Sequence, residues 1–295
     1  MMKRHQNKLD IYETHRELND NDMRSQIRHI YRPNKISLLG YKHYNGIYRL
    51  TFRSWYCFSN KTPLVVRVVD SSHDSEHVVF ERLINSPHYN LMRYIGRSVV
   101  GSNIHYQYEY LNGLTLQHYL INHQITKDLF LQLIRGLKHL HSLNLIHCDL
   151  KPYNIIIINY NTEYPCLKII DYDLVQDLGN KSTISLDRII GTISYLAPES
   201  YHIHLYGKHS DVWSLGILLY FMITGTIPFD TLVPNDGTTC IKRSSGYNDI
   251  ELSKLEGHKT YNLVKSMLTY RYQERISLED IENIVLAYDS DEVTI

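Results

Sequence analysis

The chain has 295 residues, with 31 basic and 31 acidic side chains and a formal net charge of zero. That length accommodates one large domain or two lobes, and the neutral balance gives no electrostatic reason to expect a nucleic-acid partner. The longest apolar stretch, residues 215–223, is about half of what a bilayer crossing requires, so no membrane span is expected.

Histidine is frequent but scattered. The closest pairs, His139/His141 and His202/His204, have no cysteine or carboxylate at a metal-site spacing. Cys57, Cys148, Cys166 and Cys240 are far apart and form no C-x-x-C, which predicts reduced thiols in an intracellular, cytoplasmic setting. Tyrosine outnumbers phenylalanine 25 to 6, a bias that an AT-rich genome produces. If that genome is viral, the compartment is the host cell's.

In chain order, residues 1–32 are polar and broken by Asn19-Asp20-Asn21-Asp22, the composition of an N-terminal extension. Residues 36–39, 46–52 and 64–69 are rich in β-branched and aromatic side chains and predict strands. The first two flank the turn Gly40-Tyr41-Lys42-His43-Tyr44-Asn45-Gly46-Ile47-Tyr48. Residues 75–84 place Val79, Phe80, Leu83 and Ile84 on one helical face, and residues 105–111 form a strand that ends at Asn112-Gly113. A long helix over 126–143 carries Leu129, Leu133, Leu137 and Leu140 as a stripe, with Phe130, Ile134 and His141 beside it. Residues 235–257 read as a loop-rich stretch before the last helices.

After the long helix comes His147-Cys148-Asp149-Leu150-Lys151-Pro152-Tyr153-Asn154, followed by the apolar run 155–158. An aspartate, a lysine two residues on and an asparagine three beyond that have the spacing of a phosphoryl-transfer loop. The stretch resembles the H-R-D-L-K-P-x-N loop of eukaryotic protein kinases of the serine/threonine class, with Cys148 in place of arginine. Other segments extend the resemblance. The turn at Gly40 is similar to G-x-G-x-x-G-x-V-Y, with Lys42 and Asn45 replacing two glycines. Arg67 stands where V-A-I-K has its lysine, and Asp171-Tyr172-Asp173 where D-F-G is found. Residues 191–199 match G-T-x-x-Y-x-A-P-E, 210–216 the start of the family's buried helix, and 272–277 its late arginine motif. The ordered set implies an α+β, bilobal protein kinase-like fold in a domain over 33–288. A small β-rich N-lobe would span 33–110 and a larger helical C-lobe 111–288, leaving 289–295 as a tail.

The resemblance also implies roles. Asp149 would accept or orient the proton of a substrate hydroxyl, and Lys151 would neutralise charge on the transferred group. Asn154 and Asp171 would hold Mg2+. ATP would meet Gly40, Lys42 and Ile47 in the first turn, Arg67 with Glu76 as its ion partner (Glu81 being the rival), and Glu109 and Leu111 at the hinge, with Tyr108 narrowing the back pocket. Lys42 is a candidate stand-in for the absent lysine. Thr192 would bond near Asp149 and Lys151, Glu199 would pair with Arg275, and Asp211 would bind the loop backbone.

The expected partners are ATP and a protein bearing a serine or threonine; the oligomeric state is not legible. Two functions stand open: a serine/threonine kinase of reduced activity, and a pseudokinase that acts as a scaffold or regulator. Because cysteine cannot pair with a phosphate, phosphorylation at Ser182, Thr183 or Ser185 is not expected to be required.

Overall fold

The computed structural model describes residues 24, 64–71, 74, 76–229 and 250–288, and the backbone of 35–42, 45–51, 231–232 and 240–241. Apart from residue 24, the expected extension at 1–32 lies outside the described residues, as do the tail at 289–295 and most of 235–257. The chain divides into two compact units, 1–87 with 93–111 and 88–92 with 112–295.

The first unit is built on one antiparallel sheet. Its strands are β1 (Lys35–Lys42), β2 (Asn45–Thr51), β3 (Leu64–Asp70), β4 (Tyr94–Val100) and β5 (Asn103–Glu109), in the order β1-β2-β3-β5-β4. Val66, Val68, Ile104, Tyr106 and Tyr108 are buried in it, the β-branched and aromatic residues that suit a pleated surface. Helix α1 (His77–Asn85) sinks Val79, Phe80 and Leu83, and the Phe80 ring meets Tyr94 edge-on at 5.2 Å. The helix begins two residues later than the apolar pattern suggests. Glu76 therefore sits at its N-cap position, but its side chain makes no capping bond. The β1–β2 register sets Gly40 opposite Ile47 and Lys42 opposite Asn45. The side chains of these residues, including that of the candidate stand-in Lys42, lie outside the described residues.

The second unit is mostly helical. It opens with β6 (Gly113–Thr115), α2 (Leu116–Tyr119), α3 (Lys127–Ser142), β7 (Leu145–Ile146), β8 (Ile155–Ile158) and β9 (Cys166–Ile169). Then follow β10 (Gln176–Asp177), β11 (Thr183–Ser185), α4 (Pro198–Ile203), β12 (Leu205–Gly207), α5 (Lys208–Thr224), β13 (Thr231–Leu232), β14 (Cys240–Ile241), α6 (Tyr261–Met267) and α7 (Leu278–Leu286). Thr126 caps α3 by accepting a bond from the Leu129 amide at 3.2 Å, and the expected leucine stripe is buried along the helix.

Asn90 explains why residues 88–92 group with this unit. Its amide nitrogen donates to the Leu167 carbonyl at 2.9 Å and to Gln132 Oε1 at 3.1 Å, and its carbonyl accepts from the Ile169 amide at 2.8 Å. Gly136 leaves room for this, since a Cβ there would stand 3.0 Å from the Asn90 carbonyl oxygen.

Helix α5 is buried almost all round, from Ser210 to Tyr220, so its apolar run is that of an interior helix. Among the described residues no helix is long and apolar enough to cross a membrane. The three-stranded sheet β6-β8-β9 delivers the two ends of the site: the loop 147–154 enters β8, and Asp171 follows β9.

Behind α4 and α5, Arg275 grips Glu199 with both terminal nitrogens, Nη1 to Oε1 at 2.8 Å and Nη2 to Oε2 at 3.0 Å. Its guanidinium also lies 5.0 Å from the centre of the Trp213 ring and donates to the His209 carbonyl at 2.7 Å. The His209 imidazole stacks on Tyr272 at 4.4 Å, with Nε2 3.4 Å from Glu199 Oε1. That distance is not an ion pair at neutral pH. Burial pushes His209 down to about 4, and the pull of Glu199, already engaged by Arg275, does not reverse it. The unfolded chain takes up this proton near pH 6.5, whereas the folded chain resists it until about 4. Stability is thus full above pH 6.5 and declines as the pH falls towards 4. Melting temperatures between pH 7 and 4.5 should fall, and His209→Phe, which keeps the stack on Tyr272, should make that fall shallower.

Candidate active site

The loop 147–154 is held in a costly conformation by one buried carboxylate. Cys148 has φ 62°, in the left-handed region, which costs a non-glycine residue roughly 1–2 kcal/mol. Asp211, in the first turn of α5, accepts from the His147 amide at 2.8 Å through Oδ2 and from the Cys148 amide at 3.0 Å through Oδ1. His141 Nε2 donates to Oδ2 at 2.8 Å. Burial alone would raise the Asp211 carboxyl, but the bond and charge of His141 and the donors of His147 outweigh it and leave the group below its ordinary value. His147 is fixed in turn. Its Nδ1 accepts from the Asp149 amide at 3.3 Å, so Nε2 carries the proton that reaches the Ile170 carbonyl at 3.1 Å.

Asp149 is the point of convergence. Its Oδ1 accepts from the Thr192 hydroxyl at 2.6 Å, and its Oδ2 from Lys151 Nζ at 2.7 Å and Asn154 Nδ2 at 3.0 Å. Lys151 Nζ also donates to Thr192 Oγ1 at 2.8 Å, and Asn154 Nδ2 to the Asp149 carbonyl at 2.8 Å. With its nitrogen committed in this way, Asn154 keeps an amide oxygen that accepts no bond from the described residues. The Ile170 amide donates to the Asn154 carbonyl at 2.9 Å, which brings Asp171 to the same place in the chain path.

An amide oxygen and a carboxylate are a hard donor pair that suits Mg2+, which fills its remaining positions with water and phosphate oxygens. Among the described residues no three His, Cys, Asp or Glu side chains form a metal cage, and a cation of this kind needs none. Asp171 itself has φ 71°. Position 173 is not among the positive-φ residues, so the buried Asp173 in place of glycine carries no left-handed strain there. The hydroxyl that distinguishes Tyr172 from phenylalanine donates to the Met92 carbonyl at 2.9 Å and the Ile169 carbonyl at 3.3 Å.

Cys148 lies in an apolar cluster with Ile146, Leu178, Ile190, Leu196 and Tyr206, against which Leu174, Ile184, Leu186 and Tyr201 pack. Burial, then Asp211 and Asp149, push its thiol far up, so it stays protonated and unreactive. The segment that carries Thr192 is bound to this cluster by its own groups. Strand β11 pairs with β12, and the Tyr206 hydroxyl accepts from the Ile190 amide at 2.8 Å and donates to its carbonyl at 3.1 Å. Gly191, at φ 100°, passes so near Cys148 that a Cβ would stand 2.3 Å from the Cys148 carbonyl oxygen. Only glycine serves at that position.

In the first unit Arg67 Nη1 donates to Glu76 Oε2 at 2.7 Å. Glu76 is 2 % exposed, and its Oε1 accepts from the hydroxyls of both Tyr94 and Tyr108. The rival Glu81 is exposed, and among the described residues its carboxylate reaches His77, at 3.8 Å. Tyr108 therefore turns its hydroxyl onto Glu76. A second acid, Asp74, accepts from the Tyr106 hydroxyl at 2.7 Å and the Glu76 amide at 3.2 Å. Glu109 donates its amide to the Arg93 carbonyl at 3.1 Å and accepts the Arg93 amide through Oε1 at 2.9 Å. The Leu111 amide has no acceptor among the described residues. Sequence reasoning did not single out Tyr94, Asp74 or Tyr206. A buried phenol's need for an acceptor was the only clue, and it does not say which acceptor.

Residues 61–285 match the family model described as protein kinase domain. The chain is 36% identical over 110 residues to serine/threonine-protein kinase dkf-2 of Caenorhabditis briggsae, covering 37% of this chain and 9% of that protein. It is also 36% identical over 107 residues to serine/threonine-protein kinase D2 of Homo sapiens, covering 36% and 12%. Over 103 residues it is 39% identical to the striated muscle preferentially expressed protein kinase of Danio rerio, covering 35% and 3%. The chain thus spans about a tenth or less of the length of these relatives.

The surroundings of Cys148 make a specific demand. Cys148→Arg places a cation among aliphatic and aromatic side chains, and an uncompensated buried charge costs about 3–5 kcal/mol. Thermal melting should show a large loss for Cys148→Arg and a much smaller one for Cys148→Ser. Equal melting temperatures would contradict the apolar account of this pocket.

Proposed function

This chain belongs to the protein kinase family, and on that premise we propose that it transfers the γ-phosphoryl group of Mg-ATP to a serine or threonine hydroxyl of a protein. The observation that carries the reading is the convergence of Thr192, Lys151 and Asn154 on Asp149. A carboxylate that takes a threonine hydroxyl at 2.6 Å is suited to take the hydroxyl of an acceptor, orient it and receive its proton as the new bond forms. The transition state is loose and demands positioning more than strong basicity. Lys151 stands beside that oxygen, where a cation lowers the energy of charge that develops on the transferred group. Asn154 and Asp171 would hold Mg2+, which supplies charge neutralisation at the phosphates. Lysine two residues after Asp149, together with relatives named as serine/threonine kinases, favours that acceptor class over tyrosine. The reaction needs ATP, which fits an intracellular, cytoplasmic setting, the host cell's if the gene is viral.

The proposed rate is low. Arginine is longer and planar where a lysine point charge would meet phosphate, and Arg67 is committed to Glu76. Losing one such contact costs on the order of 3 kcal/mol, about a hundredfold in rate. The same observation supports the second reading, a pseudokinase that binds partners without efficient transfer.

Transfer of labelled phosphate from Mg-ATP to protein and peptide acceptors separates the two. The wild-type chain should transfer slowly and Asp149→Asn at least about a hundredfold more slowly, whereas equal signals would remove the enzyme reading. Phosphatase treatment beforehand should leave the wild-type rate unchanged, because the segment at 183–192 is held by β12, Tyr206 and the Cys148 cluster.

A further inference from the structure

Helix α1 has nine residues, too few to be stable without tertiary support. Its first main-chain donors also lack the usual help, since the N-cap residue Glu76 offers them no side-chain bond and the first turn holds no acid. The start of the helix must be held by other parts of the unit.

Two acids and three phenols supply that hold. Glu76 Oε1 accepts from the hydroxyls of Tyr94 on β4 and Tyr108 on β5, while Oε2 accepts from Arg67 on β3 at 2.7 Å. Two residues earlier, Asp74 Oδ1 accepts from the Tyr106 hydroxyl at 2.7 Å and from the Glu76 amide at 3.2 Å. Its Oδ2 lies 3.4 Å from Arg97 Nη2, and that guanidinium stands 5.8 Å from the centre of the Tyr106 ring. The rings pack as well as bond. Tyr94 and Tyr108 have centres 4.8 Å apart, and Phe80 of α1 meets Tyr94 at 5.2 Å and Tyr106 at 5.7 Å.

The bonds run one way. Burial, then Glu76, push the Tyr108 phenol far above its ordinary value, and burial, then the bond to Asp74, push Tyr106 up. Both phenols keep their protons and donate them to the carboxylates. With Oε1 occupied by two hydroxyls, Glu76 grips Arg67 through its other oxygen. Without the phenols, Oε1 would be left to compete for the guanidinium, and Arg67 would lose its set orientation. Every member of this set belongs to the same unit of the chain.

Resting on the kinase reading above for its effect on ATP, we propose that Tyr94, Tyr106 and Tyr108 are positioning residues. Their hydroxyls latch the start of α1 onto β4 and β5, and so hold Glu76 and, through it, Arg67 in place before nucleotide or any partner protein binds.

The test follows amide hydrogen exchange at Phe80 in the full chain, because that amide donates to the Glu76 carbonyl at 2.9 Å and closes the start of the helix. Exchange needs no phosphate transfer, so it is read apart from the enzyme reading. In the wild-type chain it should be slow before Mg-ATP is added. Combining Tyr94→Phe with Tyr108→Phe, which keeps both rings, should speed it on the order of tenfold and leave exchange within β3 unchanged. Tyr106→Phe should speed it as well. If the double variant does not fold, either single substitution takes its place, with a smaller acceleration. In transfer assays the double variant should raise KM for ATP on the order of tenfold and leave KM for the acceptor peptide unchanged, a split that a general loss of stability does not produce. A wild-type chain that transfers no phosphate, but whose slow Phe80 exchange is lost in the variants, would end the enzyme reading and leave the latch standing. Fast exchange in the wild-type chain that slows only once Mg-ATP is present would overturn the proposal. So would variants that exchange at the wild-type rate, or that raise both KM values alike.

Discussion

The candidate site depends on how closely the segment at Gly191 approaches the loop at Cys148. No side chain fits between them, as a Cβ on Gly191 would stand 2.3 Å from the Cys148 carbonyl oxygen. That approach sets Thr192, the next residue, on Asp149 and Lys151. Each strand of the contact is fixed from behind. Asp211 holds the loop through two amides despite the left-handed turn at Cys148, and Tyr206 holds the segment through both main-chain groups of Ile190. Backbone strain at the loop is sustained because a fully buried carboxylate gains three donors. Apolar burial then does between loop and segment what a charge pair would do if Cys148 were arginine. Such a contact is insensitive to salt.

The first unit follows a different logic. A buried carboxylate at Glu76 is costly unless its lone pairs are satisfied, and here Arg67 takes one oxygen while Tyr94 and Tyr108 take the other. The tyrosines help to compensate the burial of Glu76, and Glu76 in turn holds the arginine. The residues around Asp149, by contrast, are tied to its carboxylate directly by Thr192, Lys151 and Asn154.

Much of this was legible in the sequence. The spacing of Asp149, Lys151 and Asn154 is local, and so is the leucine stripe of α3, because period and offset alone specify them. Glu199 with Arg275 and Asp211 with the loop could be anticipated only through the family resemblance, being 76 and 64 residues apart. What was not legible is equally physical. The phenols that satisfy Glu76 come from residues 18 and 32 positions away, whereas its choice over Glu81 already followed from the helical register. The apolar surroundings of Cys148 come from segments on both sides of it that no periodicity connects. Tyr206 offered only a phenol in need of partners.

The central claim is that the chain's own side chains hold the segment 183–192 against the loop, and amide hydrogen exchange at Ile190 tests it most directly. In protein shown by mass to carry no phosphate, that amide should exchange slowly, and Tyr206→Phe should speed its exchange without changing that of the α3 core. Fast exchange at Ile190 in the unphosphorylated wild-type chain, slowed only after phosphorylation of Ser182, Thr183 or Ser185, would contradict the account.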